Sequence, residues 1–364
     1  ARFPCPMPRP PVFRLHNQSG RAARFSNMRA ALHLPLRALV AGAVLPVALP
    51  CLPAQAAQAS AEAREPNPLE IFQNSEDRLF RIGYRLATAN ATFCPHTVPV
   101  SGLMIHDAES YGDPEAVRKL FGLNGDIGIQ AVAPGSPAAK AGLSQNDTLS
   151  ALDGQRIAPH WQRTEPRWQR VFALRDAIDA ALARGSLELT WQNSDGIERT
   201  AVIEGIPACP TRFELVDSKA SAEADGERVL VGERFPGLAY DESAFAAAIA
   251  HEMAHNIMRH PQTFRNIGWK RKLVRLSERD ADRLMPWLLH NAGYDPRAAI
   301  AFMREWGPKH GGWIFRKRTH DGWDERVEFI EAELPKLEAA VAAQPEGLAD
   351  WASGFTPELY VNDG

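Results

Sequence analysis

The sequence predicts an α+β protein, in which a mainly helical domain with a small β-sheet carries an inserted β-domain. Residues 69–91, and most of the chain after Asp241, have apolar residues at helical spacing. Residues 126–206 instead alternate in short strands, separated by turns rich in Gly, Pro, Asn and Asp. Within this part we expect a helix at about residues 169–183 and a hairpin of strands at residues 187–192 and 197–206. The composition, 45% hydrophobic and 23% charged, is that of a globular chain and excludes a disordered or membrane-embedded one.

The first 56 residues are predicted to be segments outside the fold. Residues 1–27 are rich in Pro and Arg and show no periodicity, so we expect an upstream segment without a core. Residues 28–56 are typical of a signal peptide: arginines accompany a short apolar stretch, and Ala54-Gln55-Ala56 is a small-x-small cleavage site. A weak membrane anchor is the alternative. We therefore expect an exported, periplasmic protein that is membrane-associated only if this leader stays uncleaved.

Removal of the leader leaves an acidic chain with one pair of cysteines. Residues 1–56 hold seven arginines and no Lys, Asp or Glu, so the formal charge changes from −3 to −10. This charge argues against nucleic-acid binding, which requires neutralisation of phosphates. No later segment has the roughly 20 apolar residues that span a bilayer, so we expect no stable membrane span. Cys94 and Cys209 remain, which predicts a disulfide in an exported protein; two free buried thiols are the alternative.

The inserted β-domain contains a specific pattern. Residues 127–157 read IGIQAVAPGSPAAKAGLSQNDTLSALDGQRI, with an SPA-x-x-AGL element followed by a strand and an Asp-Gly turn. This segment resembles PDZ domains of bacterial proteases. The resemblance implies a groove that takes a peptide C-terminus or an extended segment by β-augmentation. It also implies that the backbone N–H groups of Ile127, Gly128 and Ile129 hold the carboxylate. A rigid spacer that binds no peptide is the alternative.

A second pattern lies on a predicted helix that Asp241 caps and that Pro261 is expected to stop. His251 and His255 are four residues apart, so they stand on one helix face. This spacing lets two imidazoles bind one Zn²⁺ and lets Glu252 reach a water at the metal. Two ordinary histidines on a helix are the alternative. The flanking residues are apolar, however, and burying His and Glu among them is costly without a metal or hydrogen bonds.

A third ligand is expected on the next helix. Catalytic zinc uses three protein ligands and keeps one position open. Glu278 lies on a helix that is predicted to start near residue 270, and Asp282 follows one turn later on the same face. Pro286 is expected to kink or end this helix. By itself the segment is equally typical of a solvated, charged helix face.

Together, HEMAH and the sequence Glu278-Arg279-Asp280-Ala281-Asp282 resemble the gluzincin metallopeptidases, a family that includes the CAAX prenyl endopeptidase, HtpX and BepA. The resemblance implies a zincin fold and one Zn²⁺ per chain. The metal ligands would be His251, His255 and Glu278, with Glu252 as the general base and Asp282 orienting a ligand histidine. The strand at residues 229–231 would be the sheet edge along which the substrate lies.

Part of a further family motif follows at Thr319-His320-Asp321 and Arg326, although its Pro is missing. The resemblance makes His320 a candidate for contacting the metal or the oxyanion, and Arg326 a candidate oxyanion donor. A loop histidine is the alternative for His320. The predicted organisation is residues 1–27 upstream, 28–56 signal peptide, 57–100 linker and first helix of the core, 120–207 PDZ domain, 210–345 zinc metallopeptidase domain, and 346–364 C-terminal tail.

The predicted function is a zinc-dependent endopeptidase that hydrolyses polypeptide substrates in the periplasm, with the PDZ domain recruiting them or regulating cleavage. The alternative is a non-catalytic zinc-binding chaperone or scaffold that uses the PDZ groove. Structural zinc sites close all four metal positions, usually with Cys. A His₂Glu set leaves one position open, which favours catalysis.

Overall fold

The computed structural model describes residues 65–217, 220–310 and 321–361, and its first element is helix α1 (Pro68–Ala89). The Asn67 side chain accepts from the N–H of Leu69, and Glu70 accepts from the N–H of Asn67, so a capping box starts the helix. The apolar face of α1 is buried in the main core. The helix predicted for residues 69–91 is confirmed. The predicted upstream segment and signal peptide lie outside the described residues.

The middle of the chain forms an antiparallel sheet with its own core. The strand order is β2-β3-β4-β6-β7, with β5 paired to β4, and β1 pairs separately with β8. Helix α5 covers the sheet, and Trp191 and Leu174 are fully buried between them. The bounds are β1 (Val98–Val100), β2 (Leu103–Asp107), α2 (Pro114–Phe121), β3 (Ile127–Val132), α3 (Pro137–Ala141), β4 (Thr148–Leu152), β5 (Gln155–Arg156), α4 (Ile157–His160), α5 (Gln169–Ala183), β6 (Leu187–Gln192), β7 (Glu198–Ile203) and β8 (Ile206–Ala208).

A disulfide joins the two ends of this insertion. Cys94 and Cys209 are bonded, with their Cα atoms 5.6 Å apart, which confirms the predicted pair. The bond lies beside the β1–β8 pair, and the N–H of Cys209 donates to the carbonyl of Ala87 at the end of α1. The insertion therefore leaves and rejoins the helical part of the fold at one place.

The rest of the chain combines a three-stranded sheet with a helical layer. Strand β11 lies between β9, which is parallel to it, and β10, which is antiparallel. The bounds are β9 (Arg212–Val216), β10 (Ala222–Ala224), β11 (Arg228–Gly232), α6 (Glu242–Ile257), α7 (His260–Ile267), α8 (Arg271–Asn291), α9 (Ala298–His310), α10 (Trp323–Ala343), α11 (Trp351–Gly354) and α12 (Glu358–Val361). The α+β class is confirmed. Within the described residues, no helix has the length and hydropathy needed to cross a bilayer.

Four details differ from the sequence predictions. The strand at residues 229–231 is central, because β11 is paired on both sides, and β10 is the edge strand nearest α6. Pro261 is not the residue that stops α6, because it lies in the first turn of α7. Proline is tolerated there because backbone N–H groups in the first turn of a helix have no partner within the helix. Helix α8 continues through Pro286, which is buried in the core. Residues 346–361 are no loose tail, since Trp351 and Leu359 are buried.

Candidate metal centre

Helix α6 presents the two motif histidines from a buried position. The Asp241 carboxylate accepts from the N–H of Ala244 at 2.9 Å and starts the helix as predicted. Small alanines then let α6 pack tightly in the core, with most of its residues buried. His251 and His255 are 8% and 9% exposed, while Glu252 is partly exposed. The HEMAH segment therefore faces a site with restricted access to solvent.

Helix α8 brings the expected third ligand to these histidines. The two histidine Nε2 atoms are 3.2 Å apart, and each lies 3.5 Å from a carboxylate oxygen of Glu278. Two N or O ligands bound tetrahedrally at 2.0–2.1 Å from zinc are about 3.4 Å apart. The spacing of the three groups therefore fits a single tetrahedral ion. His251, His255 and Glu278 form a group that could bind a metal ion.

Asp282 and Arg326 lie behind His251. Oδ1 of Asp282 is 3.1 Å from Nδ1 of His251, although the angle is not that of an in-line hydrogen bond. Nε and Nη2 of Arg326 lie 2.5 and 2.6 Å from the two oxygens of Asp282, whose side chain is fully buried. Burial opposes the charge on Asp282, but Arg326 and His251 outweigh it and lower the pKa of Asp282. The carboxylate thus stays ionised against His251.

The histidines themselves differ in their electrostatic surroundings. Burial disfavours the charged form of His251, but Asp282 and Glu278 outweigh this effect and raise its pKa to about 10. Burial lowers the pKa of His255 to about 4, so its ring is neutral at pH 7. A metal ion bound to these histidines would have to displace the proton on His251, whereas the ring of His255 is already neutral.

Glu252 is suited to proton transfer. Burial is the largest effect on this carboxyl and raises its pKa to about 7, while a hydrogen bond from the backbone N–H of Ala224 acts in the opposite direction. Ala224 belongs to the edge strand β10, so this contact joins the carboxyl to the sheet edge. A group with a pKa near 7 can both accept and return a proton at neutral pH.

The sequence prediction missed one neighbour of the site and placed others differently. His260, at the start of α7, has Nδ1 2.8 Å from Nδ1 of His255. Arg326 was predicted as an oxyanion donor, but its Nε and Nη2 contact Asp282. His320 lies outside the described residues. Sequence spacing gives only a weak signal for His260, because a turn separates it from α6.

The predicted carboxylate-binding loop lies within the sheet of the insertion rather than in an open loop. Ile127, Gly128 and Ile129 are buried in β3, which is paired with β2 and β4, and the N–H of Ile129 donates to the carbonyl of Asp147. The N–H of Ile129 is thus engaged within the sheet, and the burial of all three residues argues against the predicted role in holding a carboxylate.

One of the two outer strands of that sheet is β2, and a cavity opens between it and α5. The cavity has a volume of about 590 Å³. Its walls include Gly102, Leu103 and Ile105 beside β2, and Ile178 and Leu182 on α5. Gly102 has φ +74°, a conformation that favours glycine. The groove thus combines an unpaired strand edge with apolar walls.

No family model matches this chain, and no curated protein matches it. The resemblance of HEMAH, and of Glu278 with Asp282, to metallopeptidase motifs therefore stays a prediction from the sequence.

Proposed function

We propose that this protein is a zinc-dependent endopeptidase that acts on polypeptides. The observation that carries the proposal is the convergence of His251, His255 and Glu278 at tetrahedral ligand spacing, with Glu252 on the same helix as the two histidines. Three ligands of the His₂Glu type leave one position open for water or substrate, as catalytic zinc sites do. A structural site would close that position.

His251, His255 and Glu278 would hold the zinc, and Asp282, backed by Arg326, keeps His251 in place. When bound, zinc supplies Lewis-acid chemistry, polarising a peptide carbonyl and making water more acidic. Glu252 accepts the proton of the attacking water and then delivers it to the leaving amine. Its pKa of about 7 suits both steps.

The edge strand β10 is the proposed site for the substrate main chain. It is paired only with β11 and lies next to α6. An extended polypeptide that adds to this edge would run past Glu252, which lies near Ala224 of β10. This arrangement favours unfolded or extended substrates over small molecules.

The groove between β2 and α5 is the proposed peptide site of the PDZ-like insertion. An open strand edge beside a helix is the arrangement that β-augmentation requires. Its apolar walls would take the side chains of a peptide C-terminus or an extended segment. The disulfide of Cys94 with Cys209 supports export to an oxidising compartment such as the periplasm.

The test compares the wild type with Glu252→Gln, using Glu331→Gln as the control because Glu331 is exposed on α10. Zinc per chain and cleavage of casein are measured for all three. We expect one zinc per chain in each protein, and cleavage by the wild type and the control only. Zinc binding without cleavage by any of them would favour the chaperone or scaffold. Absence of zinc binding would refute the metal centre.

A further inference from the structure

His260 closes the side of His255 that faces away from the candidate metal centre. Its side chain is 1% exposed, and its Nδ1 is 2.8 Å from Nδ1 of His255. The other nitrogen of His255, Nε2, is the one that lies among the candidate ligand atoms of His251 and Glu278. Both nitrogens of the His255 ring are therefore committed, one to the centre and one to His260.

The contact with His260 bears on which tautomer of His255 can bind a metal. A neutral imidazole carries one N–H and one lone pair, and the lone pair binds a metal. If Nε2 of His255 is the ligand atom, the proton is on Nδ1, which donates to Nδ1 of His260. His260 must then carry its own proton on Nε2.

The backbone between the two histidines is held in an unusual conformation. Arg259 has φ +58° and ψ +31°, the left-handed region, and its side chain is exposed. For a residue other than glycine this conformation is strained and needs support from its surroundings. Arg259 lies between the end of α6 and the start of α7, and the change of chain direction there places His260 beside His255. The strain is consistent with a requirement for His260 at this place.

Two side chains near Arg259 attach the segment between α6 and α7 to the three-stranded sheet. Oδ1 of Asn256 accepts from the N–H of Gly226 at 2.7 Å, and Nε2 of Gln262 donates to the carbonyl of Gly226 at 3.0 Å. Gly226 lies in the turn between β10 and β11. Asn256 and Gln262, on either side of His260, thus both bind the turn between β10 and β11. This fixes the position of His260 relative to the candidate metal centre.

The two candidate ligand histidines therefore have different partners. His251 lies against the carboxylate of Asp282, whereas His255 contacts a neutral imidazole. Metal-bound histidines usually use a carboxylate, a backbone carbonyl or water in this role. We propose that His260 is a positioning residue that holds His255 in its Nδ1–H tautomer with Nε2 directed at the metal, without adding negative charge to the centre. The proposal rests on the proposed metal centre for its functional meaning, but the tautomer can be measured in the metal-free chain.

The first experiment uses ¹⁵N NMR of the imidazoles in the metal-free full chain. We expect a protonated Nδ1 on His255 and an unprotonated Nδ1 on His260. The reverse assignment would overturn the proposal. This measurement requires no variant and no metal, so it separates failure of the His260 assignment from failure of the proposed zinc centre.

The second experiment compares His260→Asn with His260→Leu. The two side chains are similar in size, but only Asn has an acceptor oxygen near the position of Nδ1. Zinc affinity is measured by competition with a chromogenic chelator, and the visible spectrum is recorded with Co²⁺. We expect His260→Leu to weaken zinc binding about 10- to 100-fold and to change the Co²⁺ spectrum. His260→Asn should recover most of the affinity; equal affinity for the Leu variant and the wild type would refute the role.

Discussion

Arg326 is predicted to stabilise the fold far more than an exposed arginine does, because its partner is fully buried. Its Nε and Nη2 lie 2.5 and 2.6 Å from the two carboxylate oxygens of Asp282, which is 0% exposed. Substitution Arg326→Met keeps much of the apolar stem and removes the cation. It leaves a buried carboxylate without this partner, and breaking such a pair costs about 3–5 kcal/mol.

The loss should depend on pH. In the wild type the pKa of Asp282 is lowered, so this residue contributes stability above its unfolded pKa, and that contribution is lost as the pH falls through the folded pKa. Without Arg326, His251 alone opposes the effect of burial, so the pKa of Asp282 should be higher in the variant than in the wild type, and the variant should gain less stability as the pH rises. The difference in the free energy of unfolding should therefore be largest near pH 7.5 and smaller near pH 4.5.

The assay is urea unfolding of the metal-free protein, followed by circular dichroism at both pH values. Arg304→Met is the control, because Arg304 forms an exposed pair with Glu331 at 2.9 Å. An exposed pair contributes about 0–1 kcal/mol. Equal losses for Arg326→Met and Arg304→Met, or a loss that is the same at both pH values, would refute this reasoning.

Three further predictions concern stability. Burial raises the pKa of Glu76 to about 7, so the folded state loses stability as the pH rises from about 4.5 to 7. In urea unfolding at pH 8.5, Glu76→Gln should therefore have a free energy of unfolding roughly 1–3 kcal/mol above that of the wild type. At pH 5 the two proteins should be equally stable. A gain of the same size at both pH values would contradict this. The bond between Cys94 and Cys209 spans 115 residues, so its reduction should lower the free energy of unfolding by about 2–5 kcal/mol; an unchanged urea midpoint after reductant would show that no bond had formed. Asp241→Ala removes the cap of α6 and should cost about 1 kcal/mol, whereas Asp241→Asn should cost little; equal losses in thermal unfolding would exclude a capping role.

Elements with a strong local pattern were predicted well. Helix α5 runs over residues 169–183 and strand β6 over 187–192, as predicted, because the spacing of apolar residues decides which face is buried. The short distance between His251 and His255 follows from the four-residue repeat of α6, which any helix imposes. Helix boundaries near proline were predicted less well. Pro261 begins α7 and Pro286 lies within α8, because packing and position in the helix decide whether proline is tolerated.

By itself, the sequence determined helices such as α1, α5 and α6, the histidine pair and its carboxylate candidates, since these depend on spacing within one element or on a motif. Only the tertiary structure decided which strands are edges, because an edge is defined by the absence of a neighbouring strand: β10 and β2 are outer strands, and β11 and β3 are not. It also decided the partners of the ligand histidines. Arg326 contacts Asp282, which is 44 residues away in the sequence, and His260 contacts His255 across a left-handed turn. The periodicity of a sequence does not predict contacts of either kind.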